Sequence, residues 1–239
     1  MKKKKTQTDI PRKKEFIFRI RRQKSPDSDS YWEDFSYVYD RSRGRQNVAG
    51  ALRELGAVRF ECGCLQKKCG ACAMVINHVP RLACDVWLED ISDLILLEPL
   101  KKFPVIEDLV VDRQVMFESL KKMELWLKEA AREADGEQFS LAYQSSRCLQ
   151  CGCCLEICPN YYPEGDFFGM AGMVPSVRVM TAMPDAQKKA FYRQYRKHIY
   201  EGCGKSLSCR DICPAGIPME ELMVNASATA VWKRNKIKK

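Results

Sequence analysis

RCLQCGCCLEICP, residues 147–159, sets Cys148, Cys151, Cys154 and Cys158 at the spacing C-x2-C-x2-C-x3-C, with Pro159 directly behind. In this run three thiolates hold one cubane iron–sulfur cluster and the fourth reaches across to a second. A tight loop followed by a helical turn aims the first three sulfurs at one cube, and the proline ends the turn. Cys153 falls out of register and is expected to be a packed free thiol. A structural zinc site is the plainer reading of any isolated C-x2-C. Four cysteines in this order, with the proline, favour iron and sulfide.

A cysteine committed elsewhere needs a partner segment, and CGKSLSCRDICP, residues 203–214, supplies one. Laid over the same run it reads C-x2-S-x2-C-x3-C-P, with Ser206 where the middle cysteine would stand. Crossing then gives Cys213 to the cluster of Cys148, Cys151 and Cys154, and gives Cys158 to Cys203 and Cys209. Serine is a poor iron ligand beside thiolate, because its alkoxide is harder to form near neutral pH and is a harder donor. The expectation is a [4Fe–4S] cluster followed by a three-thiolate cluster, most simply [3Fe–4S]. A fourth iron held by Ser206 or water is the competing reading.

A second group lies upstream: Cys64, Cys69, Cys72 and Cys84, at C-x4-C-x2-C and then eleven intervening residues. The first part is the plant-type [2Fe–2S] spacing. Small Gly70 and Ala71 suit a loop wrapped closely around a cluster. Cys72 leads into a strand, Asn77-His78 makes a tight turn, and PRLAC returns, bringing Cys84 beside Cys72. Cys62 rivals Cys64 but would need a six-residue gap to Cys69, so it reads as a bystander. Zinc is again the alternative, with x4 and x11 spacings that do not suit paired zinc knuckles.

The rest of the chain supports two domains in 239 residues, of which 46% are hydrophobic. Thirteen cysteines without an apolar segment behind the N-terminal lysines point to a reduced, cytoplasmic protein rather than a secreted disulfide scaffold. No run is long enough for a membrane span. Of the net charge of +9, residues 1–14 hold +6 and residues 233–239 hold +5, so the body is slightly acidic and unlike a nucleic-acid module. The tails suit either anionic lipid or simple solvation. Phe16, Phe18 and Ile20 alternate, as do Phe35, Tyr37 and Tyr39, which predicts an antiparallel strand pair. Asn47 is placed to cap a helix bearing Val48, Leu52 and Leu55, and residues 91–100 read as a final strand. Met116, Leu120, Met123, Leu127 and Ala130 predict a helix capped by Asp112 and running to about Arg132. Small residues in 167–173 suit close helix packing. Further helices are expected from Asp185 to Tyr200 and from about Pro218 to Trp232. His78 and His198 read as packing or surface residues.

The fold class that follows is α+β: an N-terminal β-grasp, plant-type [2Fe–2S] ferredoxin-like domain (15–105) and a C-terminal all-α, bacterial-ferredoxin-like two-cluster domain (106–230), between basic tails (1–14 and 231–239). This order of motifs resembles the iron–sulfur subunit of succinate dehydrogenase and fumarate reductase over about residues 15 to 225. The resemblance implies the same three ligand sets and electron transfer between the FAD of a flavoprotein partner and quinone at membrane anchor subunits, with the chain peripheral on the cytoplasmic face of the inner membrane and bearing no substrate site. It places quinone near Pro159, Tyr162 and Lys205. Two features depart from the pattern. The first loop lacks the family's arginine and glycine, reading Cys64-Leu-Gln-Lys-Lys-Cys69. Asn160-Tyr161-Tyr162-Pro163 and Gly204-Lys205 stand where ubiquinone users carry tryptophan and histidine, which points towards menaquinone or another acceptor. An iron–sulfur subunit of another flavoenzyme, thiol-linked or heterodisulfide-reductase-like, remains open. It is disfavoured because only 26 residues, none of them cysteine, follow Cys213. A zinc-binding interaction protein also remains open.

Overall fold

The structure is a computed structural model that describes residues 12–131 and 136–232. Most of both basic tails, and the expected helix end at Arg132, lie outside the described residues.

Strands β1 (Lys13–Arg22) and β2 (Tyr31–Asp40) pair antiparallel, with Lys13 opposite Asp40 and Arg22 opposite Tyr31. Their alternation buries Phe16, Phe18, Ile20, Tyr37 and Tyr39 on one face. Phe16 meets Tyr39 and Phe18 meets Tyr37 edge to face, with centroids 6.3 and 6.0 Å apart. Helix α1 (Val48–Leu55) follows, then the hairpin β3 (Ala73–Ile76) and β4 (Val79–Leu82), then β5 (Leu94–Glu98). β5 runs parallel to β1 and completes a sheet of order β2-β1-β5-β3-β4. Val48 and Leu52 of α1 join the strand residues in one core, which gives the expected β-grasp. A small ribbon, β6 (Val105–Glu107) and β7 (Val110–Val111), is tied back through buried Asp108, which accepts from Arg22, Gln23 N–H and Arg59 N–H.

The second half is helical: α2 (Gln114–Lys122), α3 (Gly136–Ser146), α4 (Cys153–Glu156), α5 (Gly169–Ala182), α6 (Asp185–Tyr195), α7 (Ser208–Ile212) and α8 (Met219–Ser227). The Gly- and Ala-rich start of α5 is buried throughout, and Met123, Phe191, Tyr195, Ile199 and Leu222 pack in the core around it.

One helix expectation needs correction, and two are met with a change in the winding of the last turn. The helix after Asp112 ends at Lys122, ten residues early, because Glu124 turns into the left-handed region at φ 51°. Beyond it, Gln187 holds the backbone of Trp126 and Lys128, and Ala130 is exposed rather than part of the core stripe. The helices expected to reach Tyr200 and Trp232 each finish in a five-residue π-turn, Arg196–Tyr200 and Ala228–Trp232. Helix α3 was not expected at all, having no strong apolar periodicity.

Candidate metal centres

Residues 64–69 curl because left-handed residues punctuate them: Leu65 at φ 54°, Lys67 at φ 58° and then Gly70 at φ 77°. Successive amides therefore turn inwards onto sulfur. Gln66 N–H and Lys68 N–H donate to Cys64 Sγ at 3.3 and 3.2 Å, and Lys67 N–H donates to Cys84 Sγ at 3.3 Å. The two amide donors bring the Cys64 thiol down to about 7. Lys67 stands where the resembled loop has glycine, and its backbone takes the left-handed conformation that glycine adopts most easily.

The β3–β4 hairpin brings Cys84 back to Cys72, as Ala83 N–H donates to the Cys72 carbonyl at 3.0 Å. Burial pushes the Cys72 thiol up to about 12. Asn47 does two jobs here. Its Oδ1 caps α1 by accepting from Gly50 N–H at 2.8 Å, and its Nδ2 donates to the Cys84 carbonyl at 3.1 Å. Helix α1 thus fixes the backbone of the last cysteine of the set, a role the sequence does not announce. No backbone amide points at the Cys62 sulfur among the described hydrogen bonds, and its thiol is raised by burial.

In the helical half, Cys148, Cys151, Cys154 and Cys213 line one cavity, together with Ala171, Ile217 and Met219. Cys158, Cys203 and Cys209 line another, with Ser206, Phe167 and Met223. The last cysteine of each run therefore lies with the other run, and Ser206 sits on the rim of the second cavity. Gly152 at φ 89° starts α4 and turns the first run through its corner. Burial lifts the Cys148 and Cys209 thiols to about 11 each and Cys154 well above its ordinary value. Cys153 is fully buried in the adjoining core, as expected for a packing thiol.

Gln150 is a functional residue that the cysteine pattern hides. Its Nε2 donates to Cys148 Sγ at 3.3 Å and to the Ala171 carbonyl at 3.1 Å. That carbonyl is free because Pro175, four residues on in α5, has no N–H to offer it. A proline inside an apolar helix was the available signal.

Of the residues expected near quinone, Lys205 lines the second cavity beside Asn160. Pro159 and Tyr162 are exposed nearby on the chain, with Lys102 Nζ 5.7 Å from the Tyr162 ring. His198 is buried, stacked on Phe168 at 4.4 Å and bonded to the Asp166 carbonyl at 2.7 Å, and His78 sits in the β3–β4 turn.

The donor set fits clusters. All thirteen cysteines are unpaired. The sulfurs of the helical half line two cavities in sets of four and three, the thiolate counts that a [4Fe–4S] and a three-thiolate cluster would take. Buried, protonated thiols become ligands only when metal displaces their protons.

Comparison with known proteins agrees with this chemistry. Residues 17–118 match the model of a 2Fe-2S iron-sulfur cluster binding domain, and residues 144–217 match that of a 4Fe-4S dicluster domain. The succinate dehydrogenase iron-sulfur subunit of Bacillus subtilis is 36% identical over 225 residues, covering 84% of this chain and 87% of that protein. The fumarate reductase iron-sulfur subunit of Wolinella succinogenes is 32% identical over 179 residues, covering 68% and 73%. A chain of the Mycobacterium smegmatis Sdh1 complex in the apo form shares the fold, with a TM-score of 0.71 at 17% identity over 89% of this chain and 95% of that one.

Proposed function

The chain belongs to the family of succinate dehydrogenase and fumarate reductase iron–sulfur subunits, and from that premise we propose that it passes electrons between the FAD of a flavoprotein subunit and quinone at a membrane anchor. It is an electron-transfer subunit of an oxidoreductase complex, with [2Fe–2S], [4Fe–4S] and [3Fe–4S] clusters and no substrate site of its own. We assign Cys64, Cys69, Cys72 and Cys84 to the first cluster, Cys148, Cys151, Cys154 and Cys213 to the second, and Cys158, Cys203 and Cys209 to the third. Domains at 15–105 and 106–230 then hold one and two clusters respectively.

The clusters, when bound, supply one-electron centres between a two-electron flavin and a two-electron quinone. The chain's residues hold them in order and tune them. Amides of Gln66, Lys67 and Lys68 and the side chain of Gln150 donate to ligand sulfurs, which favours the more negative, reduced state. Burial of Cys72, Cys148, Cys154 and Cys209 keeps water from the sulfurs. Lys205 at the rim of the third cavity would offer a cation to a quinone oxygen, with Pro159 and Tyr162 following Cys158 in the chain. Among the described residues no helix is long and apolar enough to cross a membrane. On the likeness to its relatives, we propose that the chain sits peripherally on the cytoplasmic face of the inner membrane, held there by an anchor subunit.

The observation that carries this reading is the exchange of fourth cysteines between the two cavities, with Ser206 at the second. The test is to purify the complex from its native membrane without air. Brown protein with about nine irons per chain, the EPR signal of an oxidised three-iron centre, and succinate or fumarate turnover with a viologen dye are expected. Colourless protein holding zinc would overturn it.

A further inference from the structure

One buried guanidinium closes the junction between the two cluster-bearing halves. Arg113 stands just ahead of α2 with its side chain 13% exposed. Its Nη2 donates to the carbonyls of Ala71 and Ala73 at 3.0 and 3.3 Å, the residues flanking Cys72. Its Nη1 pairs with Glu61, whose side chain is 44% exposed and so only partly offsets the charge. Its Nε–H is buried and meets no acceptor among the described residues. Ala71 follows Gly70, where an added Cβ would lie 2.9 Å from the Leu149 carbonyl oxygen and 3.0 Å from Cys151 Cβ, so the guanidinium holds the loop at the point where it meets the other half.

An arginine is charged at every accessible pH. Burying one with a donor unused is costly unless the functional molecule supplies negative charge there. Two reducible clusters do so, because each reduction adds an electron, and a fixed cation in a dry junction stabilises the reduced form. We infer that Arg113 is a positioning residue for the electron relay: it ties the start of α2 to the Cys72 loop where that loop meets Cys151 and, as a permanent positive charge at that junction, raises the potential of the [4Fe–4S] centre. The inference rests on the cluster assignment above. Absence of iron and sulfide from the unaltered protein would defeat that assignment, whereas loaded clusters with unmoved potentials would defeat only the role of Arg113.

The experiment is redox-poised, low-temperature EPR of the assembled complex bearing Arg113→Gln, Arg113→Lys or Glu61→Gln. With Arg113→Gln, the reduced-to-oxidised ratio of the [4Fe–4S] centre at a fixed ambient potential should fall about tenfold, a shift of about 59 mV for one electron. Arg113→Lys, which keeps the charge and loses the fork, should recover most of it. Glu61→Gln removes the counter-charge without touching the contacts to Ala71 and Ala73, and should move the ratio the other way by about twofold to threefold. The [3Fe–4S] centre should stay in place as the internal reference. An unmoved [4Fe–4S] potential in a fully loaded Arg113→Gln complex overturns the inference, as does a lysine variant that falls as far as glutamine. If Arg113→Gln does not load its clusters, Glu61→Gln decides, and an unchanged potential there is equally fatal.

Discussion

At the residue scale the [2Fe–2S] loop turns on which side chains tolerate a left-handed backbone. Lys67 holds φ 58° to put its N–H on Cys84 Sγ, at a steric cost of about 1–2 kcal/mol for an L-residue. Its Nζ bond to Asp85 at 2.7 Å is an exposed ion pair, worth about 0–1 kcal/mol. Lys67→Gly should therefore hold or raise the temperature at which the visible absorbance of the cluster is lost, while branched Lys67→Val should lower it. The reverse ranking would mean that the loop does not need this conformation. The buried thiols make a pH prediction. Burial raises Cys72, Cys148 and Cys209 on folding, to about 12, 11 and 11. Groups raised in this way leave the apo protein's stability intact below the unfolded thiol value and erode it as pH climbs through the folded values. Apo protein should lose melting temperature from about pH 9 upward. Cluster-loaded protein, whose thiolates already bind metal, should not follow it.

At the element scale, two polar ties fix segments against one another, and one of them reaches a cluster ligand. Asp108 is buried between β6 and β7. Burial alone would lift its carboxyl, but the Arg22 guanidinium and the N–H groups of Arg59 and Gln23 win and hold it below the usual carboxylate range. Its contribution is present above the unfolded carboxyl value and is lost as pH falls through the lower folded value. Asp108→Asn should cost about 1.5–3 kcal/mol near neutrality, as hydrogen bonds to a charge do. Chemical-denaturation curves should show that gap closing as the pH drops below about 4. The second tie is Gln150, between Cys148 and the carbonyl that Pro175 leaves free. Gln150→Leu should lower the potential of the [4Fe–4S] centre by removing a donor to sulfur. It should also cost about 1–3 kcal/mol for the stranded Ala171 carbonyl. A potential that does not move would place the Gln150 side chain outside the cluster's field.

At the scale of the whole molecule, what could be read in advance was what spacing controls. Alternation gave β1 and β2, Asn47 gave the start of α1, and the serine at position 206 marked the cavity that Cys158 shares with the last segment. What could not be read depends on contacts between distant segments: the turn at Glu124 that ends α2, helix α3 with its weak periodicity, and the meeting of the two halves. That meeting is tightest at Gly70. A Cβ there would lie 2.9 Å from the Leu149 carbonyl oxygen and 3.0 Å from Cys151 Cβ, both held in the [4Fe–4S] loop, and its φ of 77° already excludes most side chains. The first two centres therefore approach through bare backbone, between Cys69 and Cys72 on one side and Cys151 on the other. Gly70→Ala must push the loops apart or strain both, since neither obstacle is the free end of a flexible side chain. The magnetic interaction between the reduced [2Fe–2S] and [4Fe–4S] centres should weaken, and turnover of the assembled complex should fall, with the signal of the oxidised third centre unchanged. An alanine variant with the parent's spin coupling and rate would show that the junction has slack, and that transfer between the halves does not depend on this contact.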